Sequence, residues 1–406
     1  MNAWVRFAGW VVLACGAAAV AVGATTQPAA TSRPVDARIY LDATINDKPV
    51  RLIVDTGASH FLLSRSCANR LNLKVTDPPT GFRPRPGEVA VGKTETCIVR
   101  LGKLKRDCRL PVVDVPKALI GMANFEGVVG WPVIQENIWE IRGSERRLSL
   151  LKELPKNISE WTKYDLLKDS AVLAFRAASA NSESMAIVID TGVADGIQLS
   201  EQQWKKWRRE NADRPATMHA IWMPATGITA SEVCWAEKLA FASFSIANVP
   251  VEQSPCIGQG TWKDYQASMG LFALLRQDTI LDWPNGNMYV RASQSGQVCY
   301  DHNRIGAVFV PGGSKGHDLV AHVVDPSPAH EAGIRNGDVL LKIDKLDVSK
   351  WQTDPSVLPL HRFWSRQPGT RTRLMLRREG KQFETTVELK DILQQKADKK
   401  AVGRRG

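Results

Sequence analysis

Arg51-Leu-Ile-Val-Asp-Thr-Gly-Ala-Ser59 returns 135 positions later as Ala186-Ile-Val-Ile-Asp-Thr-Gly-Val-Ala194. In each copy an apolar run of strand-forming residues leads into Asp-Thr-Gly, and the chain then continues to a Leu-Ser pair, Leu63-Ser64 or Leu199-Ser200. Ser64 and Ser200 are helix N-cap residues by type, and Gln203, three after Ser200, completes a capping box. A turn-rich stretch follows each helix, from Thr76 to Gly92 and from Asn211 to Thr229. Alternating strands come next, then an apolar run, Gly127-Val-Val-Gly-Trp131 or Met269-Gly-Leu-Phe272. Each copy closes on a strand pair, and Pro284-Asn-Gly286 marks a hairpin turn in the second. One plan used twice predicts two similar β-barrel units, residues 36–155 and 156–298.

The repeated tripeptide has a chemical logic. Apolar strands behind Asp55 and Asp190 bury and fix the two carboxyl groups. Gly57 and Gly192 are expected to let the backbone turn sharply, so that amides point at the carboxylates. The hydroxyls of Thr56 and Thr191 are placed to donate across the junction of the two units. Two carboxyl groups brought together cannot both ionise comfortably, so one pKa rises and the pair keeps a single proton. Such a pair can activate water with its ionised member and polarise a carbonyl with the other. This chemistry needs no metal and no cofactor, and none is expected.

With their flanking strands and apolar runs, the paired loops resemble those of the pepsin and retropepsin-like aspartic proteases, over Arg38 to Arg291. The resemblance implies a mainly β, bilobal aspartic endopeptidase with Asp55 and Asp190 as catalytic dyad. Thr56, Gly57, Ser59, Thr191 and Gly192 support the loops. Both motifs lie on one chain, so the active site would need no dimer partner, and peptides or proteins would be the substrates. Short units and an export signal point to bacterial members. One departure stands out: the hydroxyl residue expected two positions after the glycine is Ser59 in the first copy but Ala194 in the second, where Asp195 could substitute or perturb. A second is the lack of any Tyr between Thr76 and Gly92, where such enzymes carry a flap tyrosine; Phe82 is the substitute. These departures keep an alternative open, a catalytically inactive, peptide-binding envelope protein.

A third unit, 303–392, contains Ser327-Pro-Ala-His-Glu-Ala-Gly-Ile-Arg-Asn-Gly-Asp338 before an apolar strand, Val339 to Ile343. It resembles the PDZ domains of bacterial envelope proteases, which implies a small α+β fold. By the same resemblance Ile305, Gly306, Ala307, Val308 and Phe309 would hold a peptide's terminal carboxylate, the peptide adding as a strand. A docking module that binds no peptide is the alternative.

Arg6 followed by the apolar stretch Phe7 to Gly23 reads as a signal peptide, residues 1–24, before a linker, 25–35. The protein is therefore expected in the periplasm or outside the cell, with membrane association only if that segment is retained. The excess of 53 Lys+Arg over 42 Asp+Glu includes Lys399, Lys400, Arg404 and Arg405 of a polar tail, 393–406, expected to be disordered. No basic stripe is interleaved with aromatics, so nucleic acid is not an expected partner. Cleavage of the signal removes Cys15 and leaves six cysteines. Cys97 and Cys108 would face one another across a hairpin turning at Gly102-Lys103, either bridged or as two thiols. His317 and His322 lack a third ligand, and no Cys/His spacing suggests zinc.

Overall fold

The computed structural model of the chain describes residues 13–14, 38–58, 61–76, 91–101, 104–113, 126–131, 135–143, 145, 147–170, 172–178, 184–223, 227–293, 300–312, 316–354 and 357–393. The signal peptide apart from Leu13–Ala14, the linker, Ser59, Phe82 and the polar tail beyond Leu393 lie outside these residues. The fold is mainly β, as the alternating patterns predict.

In the first repeat the strands run in the order Tyr40–Ile45, Lys48–Asp55, Gly127–Gly130, Leu62–Ser64, Leu104–Val113, Val91–Leu101, Val75–Thr76. Tyr40–Ile45 also pairs with Val91–Leu101, which closes a six-stranded barrel. The second repeat reproduces the central order: Met185–Ile189, Ala267–Met269, Ile197–Leu199, Phe244–Gln253, Gly227–Phe241. The match extends to pairing sense. The strand ending at each Asp is parallel to the apolar run, Asp55 opposite Gly130 and Ile189 opposite Met269. The strand before the helix is antiparallel to that same run. Ser64 then caps Arg65–Arg70, its hydroxyl accepting from Cys67 N, and Ser200 caps Glu201–Glu210 through Gln203 N.

A further set of strands draws on both repeats. Arg147–Leu151, Ile138–Arg142, Gln277–Asp282, Asn287–Ala292, Thr162–Leu166 and Ala174–Ala177 lie side by side, and Ile138–Arg142 of the first repeat pairs antiparallel with Gln277–Asp282 of the second. Gly143 N donates to Asp278 Oδ1 at 3.1 Å across this seam. A Cβ on Gly143 would lie 2.4 Å from the Leu275 carbonyl oxygen, so the close approach requires glycine here. Trp131 and Trp283, one from each repeat, meet edge to face at 5.4 Å. The largest apolar core runs through both repeats, from Ile45 and Leu52 to Phe175, Ile187 and Met288, and its burial dominates cohesion between them.

Residues 300–393 fold around a separate core that includes Ile305, Leu340, Ile343, Leu374 and Leu376. Its sheet runs Ala307–Pro311, Leu319–Val323, Val339–Ile343, Arg371–Arg378, Lys381–Glu388, with Leu346–Asp347 beside the third strand. Ser327 caps the short helix Pro328–Glu331. Arg378 clasps the buried Asp338 carboxylate with two bonds, at 2.7 and 2.8 Å, an arrangement in which the acceptor loses its water but keeps two charge-assisted donors.

Cys97 and Cys108 are register partners, as the hairpin reading expects, yet both are free thiols, as are Cys67, Cys234 and Cys256.

Candidate active site

Asp55 and Asp190 end equivalent strands and meet at the junction of the repeats. Both are buried, each 2% exposed, and their carboxyl groups hydrogen-bond to one another. The loops are held by a reciprocal lattice. Thr56 Oγ1 donates to the Ile189 carbonyl at 2.6 Å, and Thr191 Oγ1 donates to the Val54 carbonyl at 2.7 Å. Each hydroxyl also accepts from the opposite threonine's amide, at 3.1 Å in both directions. The main chain behind each loop is pinned in the same way: Trp131 N donates to Ala58 O and Leu271 N to Val193 O, at 3.1 and 2.8 Å. All four threonine bonds cross between repeats, so neither loop holds its shape alone.

The glycines sit in turns whose amides point at the carboxylates, as the sequence reading expects, and the structure adds a second requirement for them. Neither Gly57 nor Gly192 has a left-handed φ. Instead, a Cβ on Gly57 would lie 2.5 Å from Asp190 Cγ, and one on Gly192 would lie 2.5 Å from Asp55 Cγ. Each glycine is required because the opposite carboxyl group occupies the space of a side chain. Gly57 N and Ala58 N donate to Asp55 Oδ1 at 3.0 and 2.9 Å, and Gly192 N donates to Asp190 Oδ1 at 2.9 Å.

Burial pushes the Asp55 carboxyl well above the usual range, and the neighbouring Asp190 charge pushes it further. Burial likewise raises Asp190, to about 6, against the pull of the Gly192 amide. A desolvated pair in contact retains one proton between them over the range where isolated carboxylates are ionised. Such a pair can take a proton from water and give one to a carbonyl oxygen in the same step.

Asp195 does not replace the hydroxyl missing at Ala194. Its Oδ1 accepts from Tyr300 Oη at 2.9 Å, and its Oδ2 faces His219 Nδ1 at 3.7 Å. His219 Nδ1 also contacts Glu252 Oε2 at 3.0 Å, while Gln198 Nε2 donates to Glu252 Oε1 at 2.7 Å. No local sequence pattern signals this group. Asp195, His219 and Glu252 come from a loop and two strands, joined by the registers that set Ile197–Leu199 beside Phe244–Gln253 and Gly227–Phe241 between that strand and Ala216–Met223.

The five residues proposed to hold a peptide carboxylate are all buried, Ile305 and Ala307 completely. The Ala307–Pro311 strand packs against the hairpin strands Ala216–Met223 and Gly227–Phe241 of the second repeat, and Thr217 Oγ1 donates to the Asn303 carbonyl at 2.6 Å. The side chains of Ile305, Ala307 and Phe309 thus belong to the core of the C-terminal unit, and the strand Ala307–Pro311 lies against the second repeat.

Residues 41–126 match the family of gag-polyprotein putative aspartyl proteases. Protein DNA-DAMAGE INDUCIBLE 1 of Arabidopsis thaliana is similar, 26% identical over 120 residues, which are 28% of this chain and 29% of that protein. The chain thus spans under a third of the length of that curated relative. Among solved structures, the EIAV protease complexed with the inhibitor HBY-793 is 24% identical; the likeness covers 24% of this chain and 86% of that one, with a TM-score of 0.20. The family match falls on the first repeat and contains Asp55-Thr56-Gly57. The chain therefore carries an aspartyl protease-like domain.

Proposed function

We propose that the chain is an aspartic endopeptidase whose active site is completed by its own two repeats acting as lobes, with Asp55 and Asp190 as the dyad. The observation that carries this reading is the buried contact between the two carboxyl groups, locked by Thr56 and Thr191. In the proposed reaction the ionised carboxylate removes a proton from a water between the two acids. The water oxygen attacks the scissile carbonyl carbon while the protonated acid gives its proton to the carbonyl oxygen. The tetrahedral diol then collapses: a proton passes to the amide nitrogen, the C–N bond breaks, and the dyad again holds one proton. Peptides or unfolded proteins are the substrates.

The N-terminal segment of positive start, apolar run and small residues supports action outside the cytoplasm, in a bacterial periplasm or beyond the cell. Residues 303–392 are proposed as a PDZ-like module. The covered Ile305–Phe309 stretch favours docking against the second lobe over capture of a peptide terminus. The test is digestion of an unfolded protein and a peptide library by purified protein from pH 3 to 8. Cleavage that disappears in Asp55→Asn and in Asp190→Asn, with circular dichroism unchanged, supports the reading. Full activity in Asp55→Asn would sink it, and peptide binding without turnover at any pH would leave a binding protein in its place.

A further inference from the structure

Asp195, His219 and Glu252 present one donor atom each, all within 4.8 Å of one another. The two nitrogen–oxygen separations are 3.0 and 3.7 Å. They bracket the donor spacing of about 3.3 Å that a tetrahedral ion with bonds near 2.0 Å requires. Each carboxylate has its other oxygen held by a neutral donor, Tyr300 Oη on Asp195 and Gln198 Nε2 on Glu252. This outer bonding is what orients carboxylate ligands in metal centres. One Nδ1–H cannot serve both inward oxygens, and Asp195 Oδ2 is buried with no hydrogen-bond donor, in a residue only 7% exposed.

Charge argues in the same direction. Were both carboxylates ionised, a neutral imidazole would leave two negative charges in the interior and a protonated ring would cancel one of them. A divalent cation cancels both.

We propose that Asp195, His219 and Glu252 form a binding site for a divalent transition-metal ion, Zn2+ in the first instance. The ion would tie the loop that carries Asp190 to the Ala216–Met223 and Phe244–Gln253 strands. Binding does not depend on proteolysis; only its consequence for Asp190 rests on the endopeptidase reading.

The untagged full-length chain, stripped with chelator and titrated with Zn2+ by calorimetry, is expected to take up one ion with a Kd on the order of 1 µM or tighter. Asp190→Asn should bind equally well, which separates this site from the dyad. The near-isosteric Asp195→Asn, checked for folding by circular dichroism, and His219→Gln should each weaken binding at least about a hundredfold. Co2+ should give tetrahedral d–d bands without the thiolate charge transfer that an ion between Cys97 and Cys108 would show. Absence of Zn2+ uptake by folded wild type overturns the proposal and leaves a buried ion cluster. Uptake unchanged in both variants, or a thiolate band with Co2+, overturns it equally. If the wild type binds Zn2+ but cleaves nothing, the site stands and the endopeptidase reading falls.

Discussion

Asp55 Oδ1 receives the Gly57 amide and Asp190 Oδ1 the Gly192 amide, while Ala58 N and Val193 N donate to the main-chain carbonyls of Asp55 and Asp190. To that depth the two loops are copies, down to the crossed threonine bonds. Beyond it they diverge. The second loop carries Ala194, whose carbonyl accepts from Phe272 N, and then Asp195, which leaves the site for Tyr300 and His219. The threonine and glycine contacts that the two repeats share at the junction touch the opposite repeat, whereas Asp195 turns to His219 of its own repeat and to Tyr300. The symmetric part is fixed by reciprocal contact, because changing one copy breaks a bond or a fit belonging to the other.

The largest effects are expected at the acids. If the dyad works as one unit, Asp55→Asn and Asp190→Asn should lose activity alike, by about 10^2- to 10^4-fold or more. A large loss in one and a small loss in the other, read from kcat on one peptide, would mean that the repeats are not chemically equivalent. The glycines come next. Gly57→Ala and Gly192→Ala each drive a methyl group to 2.5 Å from the opposite Asp Cγ. Both should lose at least about a hundredfold in kcat/KM and several degrees in Tm, since neither carboxyl group can withdraw from a packed site.

Thr56→Val and Thr191→Val test the shared junction contacts through stability. Each removes a hydroxyl that donates to one main-chain carbonyl and accepts from one amide of the other repeat. With both partners buried, the cost is about 2–4 kcal/mol for either variant, measured by denaturant unfolding. The double variant should cost less than the sum, because the two hydroxyls belong to one network.

pH separates the folded pair from the unfolded chain. The folded carboxyl groups titrate above the ordinary value of 3.8, Asp190 at about 6 and Asp55 also raised. The folded protein therefore binds more protons than the unfolded chain. The dyad's contribution to stability is fully present below about pH 4, and it is lost as pH rises through about 6 and on through the Asp55 titration. Asp190→Asn removes much of that dependence. Its Tm should fall by about 2–5 °C less than the wild type's between pH 4 and pH 7, in melts at constant ionic strength. Activity, which needs the shared proton, should decline over the same rise in pH.

The repeat was legible because both copies keep the same distance and the same apolar approach to Asp-Thr-Gly. Their caps at Ser64 and Ser200 were legible because N-cap chemistry is local. The seam was not. Ile138–Arg142 reads as a strand in isolation, but nothing in its residues says that it pairs with Gln277–Asp282 across the repeat boundary. The turn at Gly57 and Gly192 is legible, but the opposite carboxyl group filling the space of a side chain is not, since only the fold brings the two loops together. The cover over Ile305–Phe309 was hidden for the same reason as the Asp195–His219–Glu252 group: each depends on which surfaces meet after the strands have paired.

Ala194 offers the smallest and most discriminating perturbation. A hydroxyl restored at this position would sit two residues beyond Gly192, where Ser59 stands in the first repeat. If its reach extends to the Asp190 carboxylate, it adds a donor that favours the ionised form. The Asp190 pKa then falls from about 6, and the alkaline limb of the activity profile moves down by a few tenths of a unit, which corresponds to less than about 1 kcal/mol. Ala194→Ser should therefore leave the maximal rate within about threefold while shifting the pH profile downward. A profile that does not move would mean that the Asp195–Tyr300 bond holds this part of the loop away from the acid, so that the second repeat is committed to a different support from the first.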